Sequence, residues 1–264
     1  MHYDAPKASR EQLLRAHDAG YVDSIVASVP ETGIVHIDAD TAMNPHTLEA
    51  ALHAAGGAIL ATDLVMSGQT NTAFSACRPP GHHAEHNKSM GFCFFNNVAV
   101  GIHHALETYG LERVAVIDFD VHHGNGTEDI FRHEPRVMMA SIFQHPFYPY
   151  SGAEGRSERM VNIPMSAGQG SEAFREVVTK EWLPALHLFK PQLVYISAGF
   201  DAHWEDDMGS LRLVEDDYAW VTHELKAVAE AHAQGRIISV LEGGYELKAL
   251  ARSVSAHLKV LADL

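Results

Sequence analysis

The chain has 264 residues, 46% hydrophobic and 20% charged, the profile of an ordinary globular protein long enough for one well-buried α/β domain. Its 34 acidic against 19 basic residues give a formal net charge of -15, a field that repels a nucleic-acid backbone and tolerates a cationic substrate. Cys77 and Cys93 lie in apolar surroundings without a C-x-x-C partner, no apolar segment approaches a membrane span, and the N-terminus has no signal-peptide core. The expectation is therefore a cytoplasmic protein without a disulfide framework, a membrane partner or direct contact with nucleic acid.

In chain order, Ser9 and Gln12 form a capping box that predicts a short helix running toward Gly20. Asn44-Pro45 opens a second helix, which the Ala-rich stretch from Leu48 to Met66 continues until Ser67-Gly68. Beyond that point short apolar runs near 72–77, 113–119, 137–142, 192–198 and 236–241 alternate with amphipathic stretches near 96–109, 171–189, 214–233 and 247–262. Strands alternating with helices predict right-handed crossovers and a mostly parallel sheet covered on both faces. No repeat, low-complexity tract or linker interrupts residues 1–264, so a single domain is expected.

Each apolar run ends in polar or glycine-rich sequence: C-R-P-P-G-H-H-A-E, D-F-D-V-H-H-G-N-G, S-I-F-Q-H-P-F-Y-P-Y, S-A-G-F-D-A-H and L-E-G-G-Y. Parallel sheets bind ligands beyond the carboxyl ends of their strands, so these loops converge on one edge. The second is the most specific. Side chains on a strand alternate, which puts Asp118, Asp120 and His122 on one side and Phe119 and Val121 on the other. A polar strand end that merely caps the next helix needs one such residue, whereas a D-x-D-x-H run suits a metal.

Asp120 and His122 with Asp201, from the loop after the fourth run, form a ligand set that nearly neutralises a divalent ion and leaves it able to activate water. Asp118, one pleat deeper, suits orienting a histidine or holding a structural cation. His82 and His83, behind the stiff Arg78-Pro79-Pro80-Gly81 approach, supply acid–base chemistry, and Tyr245 after Gly243-Gly244 can donate its hydroxyl to an oxyanion. Each has a plainer fate as a surface imidazole or a core ring. Both cysteines read as small buried hydrophobes.

The motifs R-P-P-G-H-H-A-E at 78–85, G-F-C-F-F-N-N at 91–97, D-F-D-V-H-H-G-N-G-T at 118–127, A-G-F-D-A-H at 198–203 and E-G-G-Y at 242–245 together resemble the zinc-dependent histone deacetylase superfamily. That superfamily includes acetylpolyamine amidohydrolases and acetoin-utilisation proteins, and the wording here is similar to its class II branch. The resemblance implies a three-layer α-β-α fold of the arginase/deacetylase kind, with the active site at the C-terminal ends of the strands. It implies one zinc ion per chain on Asp120, His122 and Asp201, with His83 as general base, His82 as its electrostatic partner backed by Asp118, and Asn125 orienting His83. Tyr245 becomes the carbonyl-polarising donor. Phe92 and Tyr148 become walls around a linear acyl-amine substrate, whose amide N–H the Gly91 carbonyl accepts. A structural potassium ion would use Asp118, Ser141 and the backbone of Asp120, His122 and Ile142, with Phe131 and Val137 at a weaker second site.

The expected function is hydrolysis of acetyl-lysine or a similar acylated primary amine. The alternatives are an acetylpolyamine or other small-amide amidohydrolase, which an acidic gate around Glu205, Asp206 and Asp207 would favour, and an inactive binding protein of the same fold. The last stays open because the family's usual first strand and a His-Pro-Glu loop have no counterpart ahead of Met1. The related ureohydrolases bind two manganese ions through D-x-H-x-D, and here Gly124 and His203 stand where second-metal ligands are wanted, which favours one zinc. Oligomeric state is not readable from the sequence.

Overall fold

A computed structural model of the protein describes residues 1–264. In chain order the elements are α1 (Arg10–Leu13), α2 (Ala19–Ala27), β1 (Val35–His36), β2 (Ala42–Met43), α3 (Thr47–Met66), β3 (Thr72–Ser75), α4 (Asn97–Tyr109) and β4 (Val114–Asp118). There follow α5 (Asn125–Phe131), β5 (Val137–Gln144), β6 (Met160–Met165), α6 (Ser171–Val177), a π-helical turn (Val178–Trp182), α7 (Leu183–Phe189), β7 (Leu193–Ala198), α8 (Glu215–His232), β8 (Ile237–Leu241) and α9 (Leu247–Leu261).

Six strands form one entirely parallel sheet in the order β3-β8-β7-β4-β5-β6, while β1 and β2 make a separate small antiparallel pair. Every residue of β4, β5, β7 and β8 is buried, which is why these strands read as continuous apolar runs rather than alternating ones. Alternate side chains enter different cores. Val114, Val116, Val137, Met139, Leu193 and Tyr195 pack beneath α3 and α4, whereas Ala115, Ile117, Met138, Ala140, Val194 and Ile196 pack against α6 to α9. The fold is a three-layer α/β sandwich. Phe119 and Val121 join the second core, so the carboxylates between them are turned to the other side at the strand end.

Three local expectations are revised. The capping box on Ser9 is present, but α1 stops at Leu13 instead of running toward Gly20. The buried His17 ring is instead tied to the Glu85 carbonyl and to the Asn96 N–H, and Asp18 caps a new helix, α2, by accepting from Tyr21 N at 3.1 Å. Tertiary bonds from the 85–96 segment thus override local helix propensity. The second helix begins at Thr47, with Pro45 just outside it. Finally, α3 is long and apolar enough by composition to cross a membrane, with mean hydropathy 1.3, contrary to the expectation that no segment qualifies. Its Ala54, Ala55 and Ala58 are fully buried beneath the sheet and α4, the situation of a core helix.

Candidate active site

The loop after β4 folds back on itself because its carboxylates collect backbone donors. Asp118 Oδ1 accepts from Asp120 N at 3.1 Å, Asp120 Oδ1 from His122 N at 2.8 Å, and Asp120 Oδ2 from Gly243 N at 2.9 Å. Asp201 Oδ1, from the loop after β7, accepts from Val121 N at 2.9 Å. These bonds gather three strand ends. His122 Nδ1 lies 3.0 Å from Asp120 Oδ1 and 3.2 Å from Asp201 Oδ2, and one donor atom from each residue lies within 4.8 Å of the others.

Asp120 and Asp201 are fully buried, and Asp201 Oδ2 has no hydrogen-bond partner despite its distance from His122. Burial and the charge of Asp120 push Asp201 up to about 6. For His122 burial acts downward, but its hydrogen bond to Asp120 and the nearby carboxylate charge of Asp201 outweigh it and raise the ring to about 10. The centre of the cluster therefore favours positive charge. A Cβ on Gly199 would lie 2.1 Å from Asp120 Oδ2 and one on Gly243 2.1 Å from Asp201 Oδ2, so both backbones are pressed against this carboxylate cradle. An orphaned buried oxygen, a second carboxylate and one imidazole are a donor set that fits a catalytic metal with an open position.

Beside the cluster stand two histidine dyads. His82 Nδ1 is 3.0 Å from Asp118 Oδ2, and His83 Nδ1 is 2.8 Å from Asn125 Oδ1, with the two rings 4.1 Å apart. The Asn125 Nδ2 donates to Glu85 Oε1 at 2.7 Å, and a carboxylate can only accept. Asn125 therefore turns its oxygen to His83, whose Nδ1 carries the proton, leaving Nε2 as the free lone pair. Burial and the neighbouring His82 charge hold His83 well below the usual imidazole range. His82 is also buried, but Asp120 and Asp118 overcome that and hold it well above. The two neighbouring rings are thus pushed in opposite directions.

The walls are aromatic. Phe92, at φ 67° and 37% exposed, stands with its ring 6.1 Å from that of Tyr245. The Tyr148 ring meets His83 edge-on at 5.3 Å. Gly91 must be glycine, since its φ is +56° and a Cβ would fall 2.3 Å from His83 Cδ2. Its carbonyl accepts from Cys93 Sγ at 3.3 Å and its N–H is held by Asp40 Oδ1 at 3.1 Å.

The family model described as histone deacetylase domain matches residues 1–261. The chain belongs to the histone deacetylase family. It is 41% identical over 248 residues to a histone deacetylase-like amidohydrolase of Pseudomonas aeruginosa, covering 91% of this chain and 65% of that protein. It is 40% identical over 248 residues to a probable deacetylase of Archaeoglobus fulgidus, covering 92% of this chain and 68% of that one. The solved HD domain of HDA15 superposes with a TM-score of 0.91 at 31% identity, over 99% of this chain and 74% of that one.

Within this histone deacetylase domain the residues expected from the motifs converge, with some exceptions. Ser141 is the register partner of Asp118 and donates to Asn162 Oδ1 at 3.0 Å, and Ile142 follows it on β5 with its side chain in the second core. Phe131 and Val137 lie in the first core, Val137 at the opposite end of β5 from the cleft. His123 turns away to pair with Glu128 at 2.6 Å, and His203 turns toward Glu215. Of the acidic run Glu205–Asp207, two members are engaged within the protein. Glu205 pairs with Arg252, and Asp206 is buried, its Oδ2 accepting from Tyr245 N at 2.6 Å and Glu246 N at 2.9 Å. Inward-facing backbone donors, not solvent, are what Asp206 meets.

Three contributors were not read from the sequence. Glu242 is fully buried and accepts from Gly81 N at 2.7 Å, His82 N at 3.1 Å and Ser197 Oγ at 3.0 Å, fixing the histidine loop to the ends of β7 and β8. A carboxylate directly after an apolar strand was the available signal. Asp206 is the second. The third is Phe147, whose ring stacks on His122 at 5.5 Å and 20°, next to Tyr148 in a run of aromatics whose facing cannot be read from spacing.

Proposed function

We propose that this protein is a zinc-dependent deacetylase that hydrolyses the amide of acetyl-lysine or a similarly acylated primary amine. The observation that carries the reading is the buried Asp120–His122–Asp201 cluster with two histidines at its edge, His82 on the Asp118 carboxylate and His83 on the Asn125 amide. Zinc held by these three residues would supply Lewis acidity, polarising the amide carbonyl and acidifying a water.

The chain's own groups do the rest. His83 Nε2, its Nδ1 proton locked by Asn125, takes the proton of the attacking water. Tyr245 keeps its hydroxyl proton because burial and the charges of Asp201 and Asp120 raise its pKa, so it donates to the carbonyl oxygen as charge develops there. The C–N bond breaks as a histidine proton passes to the leaving nitrogen, giving the free amine and the carboxylate. His82, held cationic over Asp118, balances the negative cluster during this transfer. Phe92 and Tyr148 enclose the alkyl chain, and the Gly91 carbonyl accepts the substrate N–H.

The pairing of Glu205 with Arg252 and the burial of Asp206 reduce the acidic rim that a polyamine would need, which supports acetyl-lysine over acetylpolyamine. The same reading assigns a structural potassium ion to Asp118, Ser141 and the backbone around Ile142. The test is turnover of a fluorogenic acetyl-lysine substrate, set beside acetylpolyamines, with the zinc-loaded and the chelated protein. His83→Ala and Tyr245→Phe should each abolish most of it, and parental rates from either would remove the assignment. No zinc-dependent turnover by the parent would favour a binding protein of the same fold.

A further inference from the structure

Tyr245 follows two glycines, and glycine restrains a side chain's approach less than any other residue. Gly243 is nevertheless pinned, because its N–H donates to Asp120 Oδ2 and its carbonyl accepts from Phe200 N at 2.9 Å. Gly244, at φ +138°, a conformation other residues rarely adopt, is then the joint immediately before the tyrosine. What lies beyond the joint decides where the phenol sits. Asp206 Oδ2 grips Tyr245 N and Glu246 N together, while Oδ1 accepts from Met208 N at 3.0 Å. From outside, the exposed Arg78 lays its guanidinium 5.5 Å from the centre of the Tyr245 ring and anchors Nη1 on the Glu242 carbonyl at 3.1 Å.

We propose that Asp206 and Arg78 are positioning residues for Tyr245: the carboxylate fixes its backbone beyond the Gly244 joint, and the guanidinium fixes the face of its ring. This rests on the reading of Tyr245 as the carbonyl donor. Neither residue touches the reacting atoms. Their effect is on where the hydroxyl stands, and displacement of a reacting group by about 1 Å can cost ~100-fold in rate. A plain structural reading is also available, since Asp206 lies at the start of α9 and could serve only as a cap for it. The two differ in what they couple to.

The experiment uses the zinc-loaded full chain, a fluorogenic acetyl-lysine substrate, and Asp206→Asn and Arg78→Met made separately in the parent and in Tyr245→Phe. An asparagine amide either turns its nitrogen on Tyr245 N and Glu246 N, which ends the grip, or turns it on Met208 N and keeps the two amides with a neutral, weaker acceptor, so the carboxylate's hold is lost or weakened at constant volume. Asp206→Asn should lower kcat about 10–100-fold and Arg78→Met about 3–10-fold, with KM within about twofold. Neither should lower the rate further once Tyr245 is Phe. Amide exchange of the peptide over 243–248 should quicken in Asp206→Asn independently of activity. Because Arg78 is exposed, its variant folds even where Asp206→Asn does not. Losses that multiply with Tyr245→Phe, or an unchanged kcat in a folded variant, overturn the inference alone. Parental turnover by Tyr245→Phe overturns the role of the tyrosine and the inference with it.

Discussion

The Asn125 side chain bridges His83 and Glu85, accepting from the imidazole Nδ1 at 2.8 Å and donating to the carboxylate at 2.7 Å. Its neutrality matters. A carboxylate at the same place would favour the protonated ring, and the base must be unprotonated to work. Asn125→Asp should therefore raise the His83 pKa and move the acid limb of the kcat/KM profile to higher pH, lowering activity near neutrality. Asn125→Ala should lose the tautomer lock and about 10–100-fold in rate. A pH–rate profile unchanged in the aspartate variant would show that Asn125 does not set the base.

Metal binding should be visible in stability. Two fully buried carboxylates share one imidazole, and one oxygen is unpartnered, so a bound dication relieves a desolvation penalty that the apo fold carries. Zinc at about 100 times its Kd should stabilise the parent by ~3 kcal/mol through mass action. Asp201→Asn should remove that response while leaving the chelated protein at least as stable as the chelated parent. Thermal unfolding with and without chelator measures both, and a melting point indifferent to zinc in the parent would count against the site.

Gly199 and Gly243 should resist even alanine. The new methyl would have to displace Asp120 Oδ2 or Asp201 Oδ2 from 2.1 Å, and these oxygens belong to the cluster itself. Either substitution should lower the bound zinc well below one per chain, with circular dichroism little changed. Full zinc content in a folded variant would mean the cradle is softer than its geometry indicates.

Far from the cleft, His257 sets an acid limit on stability. It is fully buried, with Nδ1 2.6 Å from Thr222 Oγ1 and Nε2 2.8 Å from Ser239 Oγ. Thr222 gives its own proton to the Tyr218 carbonyl, so it accepts from Nδ1, and Ser239 donates to Nε2. The neutral ring is satisfied, and burial lowers its pKa to about 3. The unfolded chain takes up the proton from about pH 6.5 downward, so this contribution is complete above 6.5 and falls by about 1 kcal/mol per pH unit toward 3. Denaturant titrations of His257→Gln between pH 7 and 4 should show a shallower slope than the parent, and an equal slope would place the acid sensitivity elsewhere. His17 and His103, each lowered to about 4 by burial, act in the same direction.

Elements buried on both faces were legible because burial left continuous apolar runs, as in β4, β5, β7 and β8. The edge strand β6 was not, since Asn162 and Pro164 interrupt it and one side faces less protected surroundings. The helix α5 was hidden in a glycine-rich stretch that reads as a turn. In the site, D-x-D-x-H exposed the Asp120–His122 pair because the apolar–polar alternation runs on past the end of β4 at Asp118, although a loop and not the strand carries it there, with Phe119 and Val121 still entering the second core. Asp206 was masked by Glu205 and Asp207, which make it look like part of a solvated charge run. Its role depends on two backbone amides of a loop almost forty residues later, and no local pattern records that.

The segment from Gly199 to Gly209 sends Asp201 to the cluster with Asp120 and His122 and, five residues on, Asp206 to the tyrosine turn. Its length is then a variable in its own right. An inserted residue between the two carboxylates would preserve every side chain named here and still set them out of phase. For anyone grafting this loop between relatives, the interval has to travel intact.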